Sequence, residues 1–177
     1  MNKRTRQYLG ILSAVACYYL IHEGAHFLYA LCAGVFREIH FMGLGVQIDV
    51  FAESMTDTQM GIFCISGSGA TLAAAYLLVF LADRICKSDS KVFKACMYYI
   101  TIAMLLLDPV YLSLLCGFFG GGDMNGISLL VPQTAARIGY GILLAVNGFV
   151  FWKAVLPVYR KGFSQKEKGQ EDETANS

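Results

Sequence analysis

The sequence predicts a mainly α-helical, polytopic membrane protein with four transmembrane helices and a β-hairpin at the membrane surface after the first. Three observations carry that prediction. Hydrophobic residues make up 56% of the 177-residue chain and charged ones 15%, with a mean hydropathy of +0.52, which is too apolar for a soluble domain of this length. Four apolar runs reach the roughly 20 residues needed to cross a bilayer. Between the first two runs the periodicity changes from helical to alternating.

The first span is expected from about Gln7 to Gly34. Lys3, Arg4 and Arg6 precede it, and Ala14-Val15-Ala16-Cys17 has a faint likeness to a lipoprotein cleavage site. The apolar run continues well past Cys17, which is the length of a spanning helix and not of a signal core. Phe36 to Asp57 follows, with Val46, Ile48 and Val50 alternating against Gln47 and Asp49. That pattern predicts a hairpin over Glu38 to Phe51, turning at Gly43-Leu44-Gly45.

The second span, Thr58 to Ala82, carries no charge; the third, Lys94 to Phe119, is interrupted only by Asp108-Pro109. The fourth runs from about Ile138 to Tyr159, with Lys153 free to snorkel at its end. Residues 1–159 thus read as a single membrane-embedded domain, and 160–177 as a disordered polar tail without aromatics after Phe163. No internal repeat is present.

Basic residues set the orientation. Lys3, Arg4 and Arg6 precede the first span, Arg84, Lys87, Lys91 and Lys94 lie between the second and third, and Arg160, Lys161, Lys166 and Lys168 follow the fourth. The other two connections carry only Arg37 and Arg137, so both termini are expected in the cytoplasm. A net charge of +1 argues against a nucleic-acid partner. The six cysteines form no Cys-x-x-Cys pair and read as small buried hydrophobes.

The chemistry is concentrated in His22-Glu23-Gly24-Ala25-His26. On a helix, positions i and i+4 share a face, so His22 and His26 can present imidazole nitrogens to one ion while Glu23 stands beside the pair. Two neutral nitrogen donors and a carboxylate that does not bind the metal but can take a proton from water are the parts of a zinc hydrolase site. The pattern H-E-x-x-H should arise by chance in only about a few such chains per thousand. The flanks, Leu9 to Ile21 and Phe27 to Val35, are uncharged, and an ionised group at membrane depth costs roughly 2.5–3.5 kcal/mol. An ordinary packed pair of histidines offers nothing to offset that cost. Counted from Gln7, the two histidines lie about 22–28 Å along the helix, in the outer half of the bilayer.

A hydrolytic zinc site needs a third protein donor and one open position. Three residues offer themselves: Asp123 in Gly120-Gly121-Gly122-Asp123-Met124-Asn125-Gly126, Asp108 beside the helix-kinking Pro109, and His40 in the hairpin. A straight helix from Lys94 carries Asp108 about 21 Å and Asp123 about 43 Å along, which favours Asp108. If the chain unwinds near Gly117 to Gly122 and turns back before Pro132, Asp123 returns to the depth of the histidines. Asp123 is the preferred donor, with Asp108 the alternative; His40 reads better as an interfacial histidine.

These residues resemble the site-2 protease family of intramembrane zinc metalloproteases, and its small bacterial members in particular. The likeness covers most of the first 140 residues in order: His22-Glu23-x-x-His26 late in the first core helix, a hairpin, the small-residue stretch Ser66-Gly67-Ser68-Gly69-Ala70 in the second, and an aspartate after the third. The family's usual third motif has Gly directly after Asp and prolines before it, whereas here Met124-Asn125-Gly126 follow Asp123 and glycines precede it. Well-known members face their zinc to the cytosol, while the charge count here faces it outward.

The resemblance implies that His22, His26 and Asp123 bind Zn2+ and that Glu23 activates water. It also implies a bacterial cytoplasmic membrane and a membrane-embedded protein or peptide as substrate. The expected activity is that of an intramembrane zinc endopeptidase, with Asn125 or Ser68 as possible oxyanion donors and the Val46 to Val50 strand as a substrate edge. The alternative is a catalytically inactive zinc-binding regulator or transporter helper subunit. A metal transporter would need more polar residues than Ser66, Ser68 and Thr71 in the second span.

Overall fold

The computed structural model describes residues 2–42 and 45–164. Its order is helix α1 (Lys3–Ala33), strands β1 (Phe36–Met42) and β2 (Gly45–Val50), helices α2 (Asp57–Cys86) and α3 (Lys91–Val110), the short α4 (Asp123–Ile127) and α5 (Gln133–Val150). α3 continues through a π-helical turn to Leu115, and α5 through a second one, Phe151–Val155, to Ser164. Among the described residues, four helices are therefore long and apolar enough to cross a membrane. Their outward faces carry large apolar side chains such as Leu20, Phe80 and Trp152, a surface suited to hydrocarbon and not to water.

Each boundary has a local cause. Asn2 caps α1 by accepting from the Arg4 N–H at 3.0 Å. Gly34, at φ +68°, ends it with the Val35 N–H bonded to the Ala30 carbonyl, so the chain turns directly into β1. Thr56 and Gln59 form a reciprocal capping box on α2, and Ser90 caps α3. α1 runs unbroken through Cys17.

The hairpin is antiparallel, with Ile39 opposite Ile48 and His40 opposite Gln47, and it is irregular at Arg37. Gly45 belongs to β2; the turn expected at Gly43-Leu44 lies outside the described residues. Ile48 points into a core that also holds Ala30, Val35, Phe63, Leu112 and Met124, whereas Gln47 faces out, as the alternation requires.

Three boundaries differ from the sequence reading. The third span stops at Leu115 and not Phe119, because the glycines beyond it leave the helix. Arg137, expected in a loop, lies within α5 and donates through Nε to the Ser113 carbonyl at 3.0 Å, a carbonyl in the π-helical turn. The polar tail was expected from Arg160, yet the helix continues to Ser164, where the buried Lys94 ammonium donates to the Gly162 carbonyl at 2.5 Å. Residues 165–177 of that tail lie outside the described residues. The six cysteines are free; Cys64 and Cys116 are buried as expected, but Cys32 is exposed.

Candidate metal centre

His22 and His26 sit one turn apart on the inner face of α1 and are 8% and 3% exposed. Their Nε2 atoms lie 3.2 Å from each other. Asp123 Oδ2 completes a triangle, 3.2 Å from His22 Nε2 and 3.5 Å from His26 Nε2. Donors held about 2.0–2.2 Å from a tetrahedral ion stand about 3.3–3.6 Å apart, so the three atoms are spaced like three corners around one centre. This cluster can hold a divalent metal ion, and it is the one such group of three among the described residues.

The chain brings Asp123 there by the route that its glycines permit. Gly120, Gly121 and Gly122 all have positive φ, at +77°, +88° and +50°, a region that other residues enter only with strain. The backbone doubles back and starts α4 at Asp123, while Met124 and Ile127 anchor the short helix in the core. Gly126 lies against Cys64 of α2, where a side chain would collide. Burial favours the neutral acid, but the two imidazoles outweigh it and hold the Asp123 carboxyl well below its ordinary value, at about 2. It therefore stands as an oxygen donor at neutral pH.

The far sides of the rings are also occupied. His26 Nδ1 lies 2.8 Å from the Phe63 carbonyl; since a carbonyl only accepts, the proton belongs on Nδ1, which leaves the Nε2 lone pair for a metal. Behind His22, Asp108 Oδ1 lies 3.3 Å from Nδ1, although that nitrogen has no well-aligned hydrogen bond. Asp108 is 1% exposed and accepts hydrogen bonds from the Tyr18 and Thr71 hydroxyls. Tyr18 stacks on the His22 ring at a centroid distance of 5.3 Å.

The two aspartates thus divide between the faces of the imidazole: Asp123 is on the donor side and Asp108 behind. Asp108, the alternative donor, lies outside the group of three. His40 is on the exposed hairpin and outside the cluster.

Room for the rings is made by α2. A β-carbon placed on Gly67 would stand 2.5 Å from His26 Nε2 and 2.7 Å from His22 Nε2, so this turn of α2 accepts nothing larger than hydrogen. Sequence reasoning picked out Ser66 to Ala70 as a small-residue stretch but missed this contact with the rings. It also missed Tyr18, whose signal is its place four residues before His22 on the same stripe.

A cleft of about 820 Å³ opens beside the cluster, lined by Glu23, His26 and Asp123 together with Asp49 of β2, Tyr111 and Asn125. Asn125 donates to the Gly120 carbonyl at 3.0 Å and keeps its place on the cleft wall. Ser68 does not line the cleft; its hydroxyl bonds to the Ile65 carbonyl and the Tyr140 hydroxyl.

Fold and site together define a protein with four long apolar helices and a buried histidine–histidine–aspartate cluster able to hold a metal ion. Comparison with protein-family models, with curated proteins and with solved structures finds no match to this chain.

Proposed function

We propose that this protein is an integral membrane zinc endopeptidase of the site-2 protease kind, cleaving membrane-associated protein substrates. The observation that carries the reading is the spacing of three donor atoms from α1 and α4 around one centre, with Glu23 on the same cleft. Two nitrogens and one oxygen are the three protein donors that would hold zinc in a catalytic site, one fewer than a structural site uses. Zinc, when bound, supplies a Lewis acid for the scissile carbonyl and brings the pKa of water toward 7.

The chain's own groups do the rest. Glu23 is half-buried one residue from His22, rotated off the ligand stripe, and so free to accept the proton of the attacking water and return it to the leaving amine. Helical peptide bonds are shielded by their own hydrogen bonds, so substrate must bind extended. β2 has no strand on its far side among the described residues and borders the cleft through residues 47–50, where an added strand would lie beside Glu23.

The test is Glu23→Gln in the purified full chain. The variant should hold as much zinc as the wild type and cleave no substrate. Full activity in the variant excludes the mechanism, and zinc binding by a wild type that cleaves nothing makes the protein the inactive regulator or helper subunit instead.

A further inference from the structure

A second cleft, of about 620 Å³, lies at the other end of α1, some 24 Å from the histidines at a helical rise from Arg6 to His22. Four basic side chains from three helices converge on it: Lys3 and Arg6 of α1, Lys91 at the start of α3, and Arg160 near the end of α5. No aspartate or glutamate lines it among the described residues. Its walls are apolar and aromatic, with Leu156, Tyr98 and Phe163. The cleft is braced by Lys94, whose ammonium is buried between the Gly162 carbonyl and the Phe163 ring, at 2.5 Å and 5.4 Å, and so ties the end of α5 to the start of α3.

We infer that this cleft binds one phospholipid with an anionic headgroup, phosphate against the four basic side chains and an acyl chain along the aromatic wall. The proposal rests on reading the four helices as membrane spans. A cationic rim over an apolar wall matches both halves of such a molecule, and a volume of this size holds a headgroup and the first part of a chain. Basic pockets between helices on the cytoplasmic side are places where anionic lipids collect, and the basic residues here are those that put this end in the cytoplasm. A free phosphate would answer the charges but leave the aromatic wall unexplained.

The experiment uses the full chain in neutral detergent, titrated with phosphatidylglycerol or phosphatidylcholine and read by native mass spectrometry. One phosphatidylglycerol should be retained per chain and phosphatidylcholine should not. The double variant R6Q/R160Q should weaken retention roughly 30-fold, and Lys91→Gln alone, should the double variant fail to fold, about fivefold. Zinc content should be unchanged in both.

Equal retention of the two lipids, or of phosphatidylglycerol by wild type and variants, overturns the site. Displacement by millimolar inorganic phosphate shows a site for a soluble anion and overturns it as well. A chain recovered from cells in soluble form without detergent overturns the membrane reading together with the lipid, whereas a detergent-requiring chain that retains no lipid overturns the lipid site alone.

Discussion

The side-chain amide of Asn147 stands in for the backbone N–H that Pro109 lacks. In a regular helix residue 109 would donate to the carbonyl of Leu105; here Asn147 Nδ2 reaches that carbonyl from α5 at 2.7 Å. Asn147 is fully buried, and its own oxygen accepts from the Tyr76 hydroxyl at 2.7 Å. The Leu105 carbonyl that Pro109 cannot satisfy is thereby given a donor.

Replacing Asn147 with Leu should destabilise the protein by about 1–3 kcal/mol, because the Leu105 carbonyl loses its donor inside the bundle. In a Pro109→Ala background, where the backbone N–H returns, the same replacement should cost less. A double-mutant cycle on denaturant unfolding in micelles measures this; costs that simply add would show that the two residues are not related in this way.

Gly67→Ala is expected to abolish metal binding while leaving α2 intact. Alanine favours helix over glycine by about 1 kcal/mol, but its β-carbon would intrude on both Nε2 atoms. Gly69→Ala is the control, since nothing lies within 4 Å of that position. Zinc per chain by elemental analysis, with helicity by circular dichroism, separates the two; normal zinc content in the Gly67 variant would mean that α2 does not approach the rings this closely.

Asp123→Asn and Asp108→Asn should differ in kind. The first replaces an anionic carboxylate donor with a neutral amide, a poor zinc ligand, and should leave too few strong ligands for tight binding. The second leaves the three donors in place but loses the charge behind His22 and one of the two oxygens that accept from the Tyr18 and Thr71 hydroxyls, which should weaken affinity about 10–100-fold. Competition against a zinc chelator ranks them, and an Asp108 variant as impaired as the Asp123 variant would contradict the division of roles between the two faces of the ring.

Much of this architecture was legible in the sequence because it depends on local periodicity. Apolar runs of spanning length, the i and i+4 histidines, and the alternation of Val46, Ile48 and Val50 each describe a relation within one element. Asp123 was legible only through its glycines, which permit a reversal without stating where it leads. What could not be read is what depends on one helix facing another. Asp108 supports His22 because of how α3 is rotated against α1, Gly67 matters because of how closely α2 approaches, and Asn147 answers a proline 38 positions earlier in the chain. The extension of α5 past Arg160 has the same origin, since Lys94 holds Gly162 from another helix.

The three donors come from segments of unequal length and regularity. Both nitrogens ride on one uninterrupted 31-residue helix, while the oxygen hangs from a loop of three left-handed glycines and a helix of five residues. A captured ion would therefore act as a clasp, pinning a short strap onto a long post. Stripping it with a chelator should raise amide deuterium uptake around residues 117–131 and leave the middle of α1 as protected as before.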